Sequence, residues 1–319
     1  MTTAPDPGET FVREDLYLYG FSWETEEHFA GRRVVTPGQA VPDPTAVAWA
    51  LADELSPGDG KESGLEQELR QLLDTVDGGL IESITVTGYG ARNAPAFLAA
   101  NADRLPRLRS VFLGFVSAEA WEISWVQQGD ITPLLEAFPR LERLDVRGSE
   151  GLTLRPVRHE RLRVLRFECG GLPAEVVRAV GVGDLPALEH LELWLGVPDY
   201  GGDSSVADLA PILSGERLPA LRRLGLCDSP AQDEIAAAVA AAPVVARLEE
   251  LSLAMGALTD IGAEALLGGQ PLTHLRRLDL HHHFLGEPMM AMIAASLPDV
   301  DVDLSERQTE EWRYVAVSE

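Results

Sequence analysis

A short hydrophobic phrase, L-x-x-L-x-L with Ile, Val or Phe admitted at the Leu places, recurs eight times and constrains the fold more than any other feature. It begins at Ile81, Leu108, Leu141, Leu162, Leu188, Leu221, Leu248 and Leu275, with spacings of 27, 33, 21, 26, 33, 27 and 27 residues. The L-x-L core of each copy alternates with period two, which is a strand signal. Several copies are introduced by the same dipeptide, as at Leu105-Pro106, Phe138-Pro139, Leu185-Pro186 and Leu218-Pro219. Leu297-Pro298 opens a degenerate ninth copy with Val300 and Val302 in the inward places. Between the strands the periodicity turns helical, over 231–242, 260–267 and 288–297. Each strand-plus-helix unit has one apolar face that only its neighbours can cover. The pattern therefore predicts an α/β solenoid, with a curved parallel sheet on the concave face and helices on the convex face.

The fullest copy, LTDIGAEALLGGQPLTHLRRLDLHHHFLG at 258–286, resembles the ribonuclease-inhibitor class of leucine-rich repeats. The whole chain resembles a family of intracellular bacterial leucine-rich-repeat proteins with a short N-terminal cap. His28-Phe29-Ala30-Gly31, Val47-Ala48-Trp49 and the acidic loop and helix before Ile84 carry that second likeness. The resemblance implies protein recognition and no catalytic activity. One departure stands out. Many such repeats place Asn three residues after the last Leu of the motif, where it bonds neighbouring backbone. Here those places hold Tyr89, Val116, Ser149, Gly170, Gly196, Ser229, Gly256 and His283, so backbone or water is expected to satisfy those turns.

Three regions follow: an N-terminal capping region over 1–79, a solenoid of eight to nine repeats over 80–305, and a C-terminal cap over 306–319. Within the first, 16–21 reads as extended and 33–36 as a short strand. Val47, Trp49 and Leu51 alternate, so 45–52 also reads as a strand. The helix at 65–76 and the strand at Ile84 then complete a right-handed βαβ unit. Trp312 and Tyr314 are expected to cover the last repeat's apolar face.

Charge narrows the function. The 319 residues include 51 Asp or Glu and 26 Lys or Arg, for a formal net charge of −25. A field of that sign repels nucleic-acid phosphates and anionic membrane surfaces. No apolar run is long enough to span a bilayer, and the first residues lack the features of a secretory signal. Cys169 and Cys227 cannot form a disulfide framework and suit a reducing compartment. A cytoplasmic protein is expected.

In x-L-x-L-x the x side chains point away from the leucine core. The middle strands thereby present Arg143, Asp145, Arg147, Arg166, Glu168, His190, Glu192, Trp194 and Arg223 together on the concave face. Arginines there could take carboxylates bidentately, or could pair among themselves as a lateral salt-bridge ladder. The long gap at 118–130 carries Trp121 and Trp125, four residues apart. They either pack on the solenoid or form an aromatic edge for a partner. The other long gap is 197–204.

Catalytic signatures are sparse. His281-His282-His283 is the one conspicuous ligand run, and Asp279 and His281 share a face with Asp301 and Asp303 on the next strand. A His-plus-carboxylate set suits a divalent metal, although no HExxH or paired CxxC accompanies it. Cys227 is placed facing solvent, with His190 as a conceivable partner; Cys169 is placed in packing. There is no P-loop and no nucleophile elbow. The expectation is a non-catalytic scaffold or adaptor without cofactor or resident metal. It would bind a protein or peptide, basic by charge complementarity, through the concave face. An accessory or maturation factor in a biosynthetic operon, and a metal-dependent or enzymatic module built on Asp279 and His281, are the alternatives.

Overall fold

The computed structural model describes residues 28–53, 64–88, 92–115, 123–310 and 312–318. The chain divides into two compact units, 1–165 and 166–319. Both are α/β, and the described residues hold eight α-helices.

In the first unit β1 (His28–Phe29) and β2 (Arg32–Val35) form an antiparallel hairpin. Its two turn residues, Ala30 and Gly31, both have positive φ, as a two-residue type I′ turn requires. Every later pairing in this unit is parallel. β2 lies beside β3 (Val47–Asp53), then come β4 (Ser83–Gly88), β5 (Ser110–Leu113) and β6 (Arg143–Arg147). The register sets Trp49 opposite Ile84, Ile84 opposite Val111 and Val111 opposite Leu144. All four are inaccessible to solvent, and burying side chains of this size stabilises by roughly 1.5–3 kcal/mol each. The alternation at 47–51 therefore does produce a strand. Helix α1 (Gly64–Thr75) buries Leu65, Leu69 and Leu72 on one stripe against β3. Helices α2 (Ala94–Ala100) and α3 (Thr132–Ala137) follow and pack on each other.

Strand β7 (Val164–Glu168) ends in the second unit, which continues through β8 (His190–Trp194), β9 (Arg223–Cys227), β10 (Glu250–Ser252), β11 (Arg277–Asp279) and β12 (Asp301–Asp303). From β8 to β12 neighbours pair in parallel and in chain order. Leu191, Leu224, Leu251, Leu278 and Val302 stand opposite one another in turn. Equivalent places in successive copies of the motif are thus true neighbours in space. Between the strands run α4 (Ala174–Val182), α5 (Val206–Ser214), α6 (Gln232–Ala240), α7 (Asp260–Leu267) and α8 (Glu287–Ser296). The helix at 260–267 matches its sequence-predicted span, and its neighbours begin and end within two residues of theirs.

One of the asparagine places, His283, is satisfied in a way the sequence reading missed. His283 Nδ1 accepts from the Leu285 amide at 3.1 Å, while Nε2 donates to the Leu304 carbonyl at 3.0 Å. That is an asparagine's double role performed by a neutral imidazole, and burial lowers the tendency of His283 to protonate. Gly196 uses backbone instead, its amide donating to the Asp228 carbonyl at 2.7 Å. Tyr89 and Val116 lie outside the described residues, as do the extended stretch at 16–21 and Trp121.

The end of the chain also departs from expectation. Trp312 is 78% exposed and so does not bury its ring on the last repeat. Tyr314 packs edge-on against His282 and Phe284.

Candidate functional site

Strand alternation does put the predicted polar residues on one face of each unit, away from the leucines. In the first unit they are Arg143, Asp145 and Arg147 on β6. Arg143 Nε reaches Asp145 Oδ2 at 2.6 Å and its Nη2 reaches Oδ1 at 3.1 Å, a bidentate pair two residues apart. The Arg143 guanidinium lies 5.1 Å from the centre of the Phe29 ring, and that of Arg147 lies 5.1 Å from Phe112. Phe29 and Phe112 are themselves 5.5 Å apart, within a cluster that includes Ala48 and Phe115. The hairpin corner thus brings an aromatic platform against the arginines, with cation–π contact as the adhesive.

In the second unit Arg166 is the hub. Its Nη2 is 2.9 Å from Glu168 Oε1, and its Nε is 3.2 Å from Glu192 Oε2. Trp194 Nε1 donates to Glu192 Oε1 at 2.9 Å, and His190 Nε2 lies 3.4 Å from Glu192 Oε2. Burial works against the Glu192 carboxylate, but the charge of Arg166, with His190, outweighs it and holds the group well below the usual carboxylate range. Arg223 pairs with Glu250 across β9 and β10 at 3.3 Å.

These residues were expected to face solvent, and that expectation is corrected. Arg143, Asp145, Arg147, Arg166, Glu168, His190, Glu192 and Trp194 are all buried, Arg166 to 3% exposure and Trp194 to 1%. Arg223 alone retains partial exposure. The physical reason is mutual neutralisation. A carboxylate two residues away on the same strand, or opposite on the next, lets each guanidinium leave water without becoming an unpaired buried charge. Of the two readings available from sequence, pairing among themselves within each unit is the one these distances describe.

Cys227 is corrected likewise. It is buried, with Sγ 3.3 Å from Ser252 Oγ. Burial, with the Glu192 carboxylate adding to it, pushes its thiol well above the ordinary range, so it is no thiolate nucleophile. His190 stands opposite Arg223 while Cys227 stands opposite Trp194. Four residues of strand separate them, about 13 Å, and no Cys–His pair forms. Cys169 is packed as predicted, its Sγ donating to the Trp194 carbonyl at 3.4 Å.

Farther along the same face the polar chain continues. Ser252 Oγ donates to Asp279 Oδ2 at 3.3 Å, and Asp279 Oδ1 meets His281 Nδ1 at 2.8 Å. With Asp303 these form a group whose candidate ligand atoms lie within 4.8 Å of one another. His282, the middle of the run, turns away with φ of 54°.

Trp125 is different from all of these. It ends a 3-10 turn, Ile123–Trp125, whose other apolar residue, Ile123, is buried, as is Val126 after it. The segment is tied down by the Gln128 amide to the Glu150 carbonyl at 2.8 Å and by Gln128 Nε2 to the Arg147 carbonyl at 2.7 Å. Trp125 itself is 62% exposed.

No family profile matches the sequence, and no curated protein matches it. Among solved structures, the chain is similar to a protein from Bacteroides fragilis determined as a structural-genomics target. The TM-score is 0.73 with 28% identity, over 79% of this chain and 73% of that one. No helix among the described residues is long and apolar enough to cross a membrane.

Proposed function

We propose that the chain is a leucine-rich-repeat solenoid with ribonuclease-inhibitor-like repeats, acting in the cytoplasm as a non-catalytic scaffold that recognises a protein or peptide. In this reading the internally paired groups, Arg143 with Asp145 in the first unit and Arg166 with Glu168 and Glu192 in the second, are rigid supports, and the contact is made at the loop edge that holds Trp125. The observation that carries it is a large aromatic side chain, 62% exposed, on a hydrogen-bonded segment. Such an anchor loses little entropy on binding, and Trp is the residue most enriched at binding hot spots. The acidic exterior would draw a basic partner and repel nucleic acid. A pull-down from native lysate, compared across variants, tests this. Trp125→Ala is expected to weaken capture of a specific partner by about 30-fold or more, the effect of losing a hot spot of about 2 kcal/mol. Retention of the same partner at full affinity by Trp125→Ala would overturn the reading.

The grouping of Asp279, His281 and Asp303 supports a second reading, a divalent-cation site. One imidazole and two carboxylates suit Zn²⁺ or Mn²⁺, and the 2.8 Å between Asp279 and His281 is also a spacing that two ligands of one metal adopt. Against it stands Arg277, whose Nη2 lies 3.4 Å from Asp303 Oδ2. Calorimetric titration with Zn²⁺ decides: a saturable one-to-one heat in the wild type that vanishes in His281→Ala sustains the reading. Absence of heat, or equal heat in the variant, removes it.

A further inference from the structure

Strands β3 to β5 of the first unit turn a row of short side chains outward, opposite to the leucines. Thr85 stands between Ala50 and Phe112, and Ser83 stands beside Ser110. All are buried, Ser83 and Thr85 to 0% exposure. Alanine and serine side chains rise too little from a sheet to seal a neighbouring hydroxyl from water, so this face has a cover. The hairpin corner supplies part of it: the Phe29 ring lies 5.5 Å from that of Phe112 and joins Ala48 in one cluster.

Two orphan atoms mark the chemistry of the rest. Ser83 Oγ and Thr85 Oγ1 have no hydrogen-bond partner, and a cover of polar groups or water would have offered one. What lies over them is apolar. At the β6 side the face changes character, with Arg143 and Arg147 against the single carboxylate of Asp145.

Residues 1–27 lead into this face. They run into His28, and the next residue, Phe29, already touches Phe112 on β5 and the Arg143 guanidinium on β6. Strands lie about 4.8 Å apart, so the span from β6 back to β3 is about 15 Å, which about five extended residues cover. The composition of 1–27 meets both demands of the face. Phe11, Tyr17, Tyr19, Phe21 and Trp23 fall within thirteen positions, and seven acidic residues stand against one basic. The stretch 16–21 reads as extended in the sequence, which would set Tyr17, Tyr19 and Phe21 on one side.

We propose that residues 14–24 dock on the outward face of β3 to β6. Their aromatic side covers Ser83 and Thr85, and the flanking carboxylates of Glu14, Asp15 and Glu24 meet the arginines of β6. The chain thereby occupies this face itself and closes it to other partners. The contact at Trp125 is independent of this docking.

Thiol labelling of the full chain tests it. Ser83→Cys adds no bulk and breaks no hydrogen bond, and the native Cys169 and Cys227 are buried and serve as references. The new thiol is expected to react slowly with a maleimide. Combining Ser83→Cys with Tyr17→Ser, Tyr19→Ser and Phe21→Ser should speed it by about 100-fold or more, because each buried aromatic lost is worth about tenfold or more in docking. Val111→Cys, on the leucine side of the same strands, should stay protected in the same triple background. Equal rates at Ser83→Cys with and without the three aromatics, whether both slow or both fast, would overturn the proposal. So would an equal rise at Val111→Cys, which would mean unfolding of the unit, or protection that falls on dilution, which would assign the cover to a second copy.

Discussion

Replacing Arg166 by Ala is expected to destabilise the protein by about 3–5 kcal/mol, the usual cost of removing one partner from a buried ion pair. Arg166 is within 2.9 Å of Glu168 and 3.2 Å of Glu192, and all three are buried. Its loss strands two carboxylates. The pH dependence should change sign as well. In the wild type the Glu192 carboxyl is held below its ordinary value. Its contribution is therefore present above about pH 4.3 and is lost as pH falls below that. Without the guanidinium, burial, the largest influence on Glu192, is opposed only by His190 and the Trp194 N–H, so the carboxyl should rise and the variant should gain stability as pH falls toward 4. Denaturant unfolding at pH 4, 5.5 and 7 measures both effects. Adding Glu192→Gln to Arg166→Ala should recover part of the loss at pH 7. A loss below about 1 kcal/mol at pH 7 would show that the ladder does not hold these carboxylates in place.

Gly196→Ala should cost about 2–5 kcal/mol. Gly196 has φ of 66°, which an L side chain adopts at a cost of roughly 1–2 kcal/mol. Its added Cβ would also land on the Gly170 carbonyl, and overpacking against fixed backbone adds roughly 1–3 kcal/mol. Neither strand can step aside, because the Val197 amide donates to that same Gly170 carbonyl at 2.7 Å. Gly201→Ala is the control. Its φ is 94°, yet its Cβ would meet only the Gly171 carbonyl at 3.7 Å, so strain alone acts and about 1–2 kcal/mol is expected. Equal midpoints for the two variants in urea unfolding would show that the close approach at Gly196 is not what makes glycine necessary there.

The strands were legible because their information is local. Period-two alternation names the inward residue, and a constant phrase names its neighbour, which is why Leu224, Leu251 and Leu278 could be aligned before any geometry. The outward face was legible in membership and not in exposure. Whether Arg166 faces water depends on how completely Glu168 and Glu192 close around it, and that is a matter of distances no spacing reveals. The asparagine places illustrate the same limit. His283 fills that role because a neutral imidazole, like an amide, offers one donor and one acceptor. The residue type carried the clue, though the run of three histidines drew attention to metal chemistry first. The path of 314–317 had no sequence signal of this kind, since Asp228 and Met255, which accept from the Val317 and Ala316 amides, lie far back along the chain.

Strands this alike face a hazard during folding that their cores cannot resolve. Leucines opposite leucines would pair equally well if one copy were skipped. The row of outward residues at the start of β9 to β12 reads Arg223, Glu250, Arg277 and Asp301, each opposite the next. Skipping β10 would set Arg223 beside Arg277, and skipping β11 would set Glu250 beside Asp301, and like charges directly opposite on adjacent strands repel. The alternation of sign thus acts as an address. It lets each strand recognise its immediate neighbour and reject the one after, which keeps the array in order while it assembles.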